Sequence, residues 1–124
     1  MTALRELVVV VDDDESVRES LPDLLGELGY AARAFPSAEA LLESDIAPKI
    51  RTLILDVAMP GMSGPELQRE LMQRGFTIPI IFVTGQGNAS LRAELLHAGA
   101  VACLFKPFSE RQLRAALDEA LGRI

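Results

Sequence analysis

The sequence predicts an α/β domain in which a doubly wound parallel sheet carries helices on both faces. Two patterns and their punctuation lead to that expectation. Short β-rich runs alternate strictly with longer segments of helical apolar spacing. Several of the strand runs are apolar throughout rather than alternating, which requires cover on both faces of the sheet. Glycines and short oxygen-bearing side chains stand at the boundaries, where helices end and begin.

The elements follow in order. The first strand is expected over residues 7–11. A helix follows, because Val17, Leu21, Leu24, Leu25 and Leu28 recur at intervals of four, three, one and three. Asp14 offers its cap and Gly29 its end. Pro22 conflicts with this helix, since it removes the hydrogen bond to Arg18; a kink is expected there, at up to about 3 kcal/mol. A second strand (30–35) leads through Ser37 into a brief stripe of Ala38, Leu41 and Leu42. The third strand (52–55) precedes a helix capped by Ser63, marked by Leu67 and Leu71 and closed by Gly75. The fourth (78–83) precedes one capped by Asn88, marked by Leu91, Leu95 and Leu96 and closed by Gly99. The fifth (101–105) leads to Ser109 and a last stripe of Leu113, Ala116, Leu117, Ala120 and Leu121. Strict alternation with short connections implies right-handed crossovers. No internal repeat, linker or low-complexity tract interrupts the pattern.

Composition bounds the function. The 124 residues suit one domain over residues 1–124. Hydrophobic residues at 49% and charged residues at 24% argue against disorder. No apolar run approaches the roughly 18 residues of a membrane span, and MTALRE leads into too short a run for a signal-peptide core. A net charge of −6 is the wrong sign for a nucleic-acid binder. Cys103 is the only cysteine, so no internal disulfide forms and a cytoplasmic location is expected. His97 reads as a favourable cation near a helix C-terminus, Cys103 as a small buried side chain rather than a reactive thiol, and Met59 and Met62 as loop packing.

The chemistry lies where the strands stop. Four apolar runs end on functional groups: the first on Asp12 and Asp13, the third on Asp56, the fourth on Thr84 and the fifth on Lys106. In an open parallel sheet the carboxyl ends of all strands share one edge, where ligands bind. With strand order 2-1-3-4-5, the first and third strands are central neighbours and their acids meet. Two carboxylates about 4 Å apart repel by about 4 kcal/mol at an effective dielectric of 20, so the cluster asks for a cation. Hard oxygen donors with room for water suit Mg²⁺. A metal site with a lysine, a hydroxyl and one spare carboxylate is equipped to receive a phosphoryl group, the carboxylate attacking phosphorus. Taken alone, the run from Asp12 to Glu15 reads more readily as acids favoured at a helix N-terminus; Asp56, Thr84 and Lys106 on the same edge turn the reading towards a site.

The stretches VVVVDDDESVRESL, LILDVAMPGMSGPEL, PIIFVTGQG and AGAVACLFKPF resemble those of two-component response regulator receiver domains of the CheY-like superfamily, most closely the FixJ-like branch. The likeness runs from about Leu7 to Leu121. Its specificity lies in the ordered set D-D, D-x-x-M-P-G-x-x-G, T-G and K-P-F. It implies a flavodoxin-like (βα)₅ fold with Asp56 as phospho-acceptor from the phosphohistidine of a histidine kinase or phosphotransfer protein. Asp13, Asp56 and the Ala58 backbone carbonyl would hold Mg²⁺ directly, and Asp12 mainly through water. Thr84 would be the switch hydroxyl, and Lys106 would pair with Asp56 before transfer and with a phosphoryl oxygen after it. A cis Lys106–Pro107 bond is also implied, and side chains at Ala58 and Gln86 flank the pocket where they tune phosphoryl lifetime. The domain would promote its own phosphorylation and dephosphorylation without being an enzyme in the ordinary sense. It would act on an output domain or downstream protein through the face made by the fourth helix, fifth strand and fifth helix, with homodimerisation on phosphorylation and no direct contact to nucleic acid or membrane.

One position departs from the family. Where receivers place Phe or Tyr three residues before the lysine, this chain has Cys103. Phe105 falls on the same side of the strand but one pair farther along, and is no simple substitute. That departure sustains an alternative, a degenerate receiver acting as a constitutive interaction module. A flavin electron carrier is disfavoured because its phosphate loop would be Asp12-Asp13-Asp14-Glu15. An aspartyl phosphatase is disfavoured because its general acid would fall on Ala58.

Overall fold

The computed structural model describes residues 5–123. Its elements are β1 (Leu7–Val11), α1 (Glu15–Glu27), β2 (Ala31–Phe35), α2 (Ala38–Glu43), a 3-10 turn (Ala47–Lys49), β3 (Thr52–Asp56), α3 (Gly64–Gln73), β4 (Ile80–Thr84), α4 (Ala89–His97), β5 (Ala102–Phe105) and α5 (Glu110–Ala120). All strand pairs are parallel, in the order β2-β1-β3-β4-β5. This is the expected flavodoxin-like order. Among the described residues no helix is long and apolar enough to cross a membrane.

The apolar strands explain themselves once both faces are covered. On β3, Leu53 and Leu55 pack into the layer of α2, α3 and α4 with Leu41, Leu67 and Leu95. Ile54 between them turns to the layer of α1 and α5, among Leu21, Leu25, Leu113 and Leu117. Phe82, fully buried on β4, is among the largest side chains of the core. Burying such side chains contributes about 1.5–3 kcal/mol each, which fixes the register of the central strands. Edge strand β2 is thinner, with Ala31, Ala32 and Ala34 half-buried and Arg33 exposed.

Every expected helix start is a side-chain cap. Asp14, Ser37, Ser63, Asn88 and Ser109 accept hydrogen bonds from the backbone N–H groups of Ser16, Ala40, Glu66, Leu91 and Gln112. Each such cap contributes about 1 kcal/mol. Gly29, Gly75 and Gly99 follow their helices with φ of +101°, +89° and +109°, the left-handed closure that a Cβ would strain.

The structure corrects three details. Tyr30 lies in the turn that closes α1 rather than in β2, because its N–H donates to the carbonyl of Leu25 at 3.0 Å. β4 starts at Ile80 instead of residue 78, since Pro79 has no N–H to give and offers only its carbonyl, to Leu53 N. The 3-10 turn around Pro48 has no counterpart in the sequence pattern, being too short for a periodic stripe. Pro22 does not end α1, which runs on from Glu15 to Glu27 with Leu21 and Leu25 buried on either side of it.

Candidate functional site

β1 and β3 are hydrogen-bonded neighbours with Val11 opposite Leu55, so the residues that follow them emerge side by side. Asp12 leaves β1 completely buried, and Asp56 closes β3 at 7% exposure. Asp13, beside them, is exposed. One carboxylate oxygen from each of Asp12, Asp13 and Asp56 lies within 4.8 Å of the others. The acidic run is thereby divided. Asp14 turns away to cap α1, accepting from both the N–H and the hydroxyl of Ser16, and only its two predecessors enter the cluster.

Lys106, at the end of β5, supplies the cation. Its Nζ donates to Asp12 Oδ2 at 2.9 Å and stands 3.8 Å from Asp56 Oδ2. The expected pairing with Asp56 is present at ion-pair distance, while the hydrogen bond itself goes to Asp12. The reason is burial, since the fully enclosed Asp12 carboxylate has the most to lose from standing unpaired. Asp12 is held further by the Asp14 N–H on Oδ1 at 2.9 Å and by Arg18 Nη1 on its carbonyl at 3.1 Å. The Lys106–Pro107 bond is cis, as expected.

The charges perturb one another. Burial, then the Asp12 carboxylate, push the Asp56 carboxyl from 3.8 up to about 7 against the pull of Lys106. Burial alone would lower Lys106, but its hydrogen bond to Asp12 and the charges of Asp12 and Asp56 outweigh it, and its ammonium is held above the usual range. Three acids with one ammonium remain short of positive charge. Oxygen-only donors, one of them exposed to admit water, fit Mg²⁺ better than a soft or fully dehydrated ion.

Thr84 ends β4 on the same edge, 4% exposed. Its Oγ1 accepts from Gln86 N at 3.2 Å, and its carbonyl accepts from Lys106 N at 2.8 Å. Ala58 lies exposed in the loop after β3, and Gln86 in the loop after β4. The β3–α3 loop is fixed from two sides. Glu39 Oε2 accepts from Met62 N at 2.9 Å, and α3 begins so close to β3 that a Cβ on Gly64 would stand 2.3 Å from the Asp56 carbonyl oxygen. His97 is the exposed last residue of α4, where a cation suits the carbonyl ends. Cys103 is buried, and burial pushes its thiol above the usual range. Arg18 and Glu39 escaped sequence reasoning because their side chains act on the backbone groups of Asp12 and Met62, and Gly64 because it acts by lacking a side chain. Only Gly64, within the M-P-G-x-x-G motif, offered a signal.

Comparison with known proteins identifies the family and the fold. The profile of the response regulator receiver domain family matches residues 8–118. The transcriptional regulatory protein TdiR of Thauera aromatica is 41% identical over 115 residues, which cover 93% of this chain and 51% of TdiR. The transcriptional regulatory protein FixJ of Azorhizobium caulinodans is 41% identical over 116 residues, covering 94% of this chain and 55% of FixJ. The chain thus spans about half the length of these curated relatives. Among solved structures, the crystal structure of FixJ-N superposes with a TM-score of 0.83 at 38% identity, covering 100% of this chain and 98% of that one. The response regulator StyR gives a TM-score of 0.86 at 41% identity, covering 95% of this chain and 60% of that one. On that likeness, which runs through all five strands, the chain belongs to the response regulator receiver domains of two-component signal transduction.

Proposed function

We propose that this chain works as one receiver domain whose Asp56 accepts a phosphoryl group, so that phosphorylation controls an output domain or partner protein. The observation that carries the reading is the cluster of Asp12, Asp13 and Asp56 with Lys106 Nζ 3.8 Å from the acceptor carboxylate. The donor is the phosphohistidine of a histidine kinase or phosphotransfer protein in the cytoplasm. An Asp56 oxygen attacks phosphorus, the new P–O bond replaces the P–N bond, and the electron pair leaves with the imidazole nitrogen. Asp13, Asp56 and the Ala58 carbonyl would hold Mg²⁺, with Asp12 mainly through water. When bound, the ion neutralises the acids and the transferring oxygens.

The chain's own groups do the rest. Asp56 must be ionised to attack, and positive charge in the cluster lowers its raised pKa towards that state. Lys106 lies within about one ångström of hydrogen-bond reach of Asp56 Oδ2, so it exchanges Asp12 for a phosphoryl oxygen with little motion. Thr84 Oγ1, bonded only weakly to Gln86 N, is free to donate its proton to the same group. Water later hydrolyses the acyl phosphate and restores the carboxylate. The face of α4, β5 and α5 adjoins this edge and transmits the change, including any phosphorylation-dependent homodimerisation.

Incubation with acetyl phosphate and Mg²⁺, followed by mass spectrometry, tests the reading. The expected result is one added phosphoryl group on Asp56, absent in Asp56→Ala and in excess EDTA. An unmodified wild-type protein under these conditions overturns it.

A further inference from the structure

Position 103 holds no aromatic ring, yet an aromatic ring does stand beside Thr84. Thr84 and Phe105 are register partners across β4 and β5, so their side chains share one face, whereas Cys103 pairs with Phe82. The Phe105 ring lies directly over Gly87 in the β4–α4 loop. A Cβ on Gly87 would stand 2.2 Å from the Cδ1 and Cε1 atoms of the ring and 2.8 Å from Thr84 Cγ2. Gly87 does not have a positive φ; it is the close approach of the ring that excludes a side chain there. The Thr84 methyl group, the Phe105 ring edge and the Gly87 Cα therefore meet at one point.

The same ring is also held by α4. Arg92, in the second turn of that helix, places its guanidinium carbon 4.2 Å from the ring centroid, within the range of a cation–π contact. Its Nε also donates to the Cys103 carbonyl at 3.3 Å. One arginine thus fastens α4 to both the ring and the backbone of β5.

We propose that Phe105 and Arg92 are positioning residues that link the Thr84 hydroxyl to α4, by a route that needs no bulky side chain at residue 103. The proposal rests on the reading of Thr84 as the hydroxyl that meets the phosphoryl group. When Thr84 turns towards Asp56, its methyl group leaves the place it shares with the ring. A packed contact does not tolerate the gap, because interiors have few voids and repack between discrete arrangements. The ring moves into it, and Arg92, in contact with the ring, draws the first turns of α4 along. The Cys103 side chain is small and lies one register pair from Thr84, so residue 103 contributes only the anchoring of Arg92. The bulky residue this chain lacks at 103 is thereby replaced by a different ring in a different place.

Hydrogen exchange along α4 in the full chain, with Mg²⁺ and with or without beryllofluoride as the phosphoryl mimic, tests the link. In the wild type, beryllofluoride changes α4 exchange rates by about fivefold or more. Phe105→Leu and, separately, the exposed Arg92→Gln reduce that change below about twofold, while beryllofluoride affinity stays within about threefold of wild type. Phe105→Tyr keeps the ring and the response, and Cys103→Ala keeps the response as well. A full α4 response in both Phe105→Leu and Arg92→Gln overturns the link, as does its loss in Cys103→Ala alone. Wild-type protein that binds beryllofluoride with a silent α4 also overturns it while leaving the acceptor site standing. Failure of beryllofluoride to bind at all sinks the proposed function instead, and the link with it.

Discussion

Replacing Asp56 with asparagine should make the metal-free protein more stable at neutral pH while abolishing its phosphorylation. Asp56 is buried against Asp12 and Asp13, and its carboxyl is raised from 3.8 to about 7. That displacement corresponds to a ceiling of about 4 kcal/mol against the ionised form in the folded state. Burial is the largest cause, and repulsion from the Asp12 carboxylate comes next, ahead of the opposing attraction of Lys106 at 3.8 Å. Burial and the neighbouring acid therefore decide the sign. The asparagine keeps the shape, discards the charge and retains some cost for its own buried amide. A net gain of about 2–4 kcal/mol, or roughly 6–20 °C in Tm, is expected at pH 7.5 in EDTA.

The pH dependence follows from linkage. Asp56 holds its proton more tightly when folded than when unfolded. The stability this group permits is complete below 3.8 and is lost as the pH climbs towards about 7. The advantage of Asp56→Asn should therefore be full at pH 7.5 and shrink steadily to little or nothing near pH 4. Paired urea denaturation of wild type and variant across that interval measures it, and taking the difference removes other titrating groups. A variant no more stable than wild type at pH 7.5, or an advantage equal at both ends of the range, refutes the account of a strained acid cluster.

Two further outcomes follow from the same contacts. Lys106→Met leaves the fully buried Asp12 carboxylate without its ammonium; a loss of about 3–5 kcal/mol in EDTA is expected by denaturation, smaller in excess Mg²⁺, and an equal loss in both buffers would contradict a shared acid site. Gly64→Ala drives a Cβ against the Asp56 carbonyl, 2.3 Å away, and the buried Phe82 ring. It should cost about 1–3 kcal/mol and slow phosphorylation by acetyl phosphate, and wild-type stability in this variant would show that α3 yields freely.

Much of this site is legible in one dimension because a parallel sheet delivers every strand's carboxyl end to one edge. Asp12, Asp13, Asp56, Thr84 and Lys106 each follow an apolar run, so recognising strands was enough to gather them. The caps were legible for a similar reason, since a serine or aspartate acts on an N–H only two or three residues away. The choice of Lys106 between Asp12 and Asp56 was not. It turns on about one ångström and on which carboxylate is deeper, 2.9 Å to a fully enclosed oxygen against 3.8 Å to one at the rim. The start of β2 was hidden as well, because Tyr30 looks like a strand residue until its N–H is seen closing α1.

The sequence by itself determined the alternation of elements, which follows from periodicity and local capping acting over a few residues of chain. Its resemblance to receiver domains implied the order of the sheet, and with it the acids and cation that meet at one edge. Only the tertiary structure decided how those groups share protons and partners, how closely α3 presses on β3, and that Phe105 lies between Gly87 and Arg92. Such contacts join residues brought together by packing, and an ångström of displacement there, invisible in any pattern of letters, changes which interaction wins.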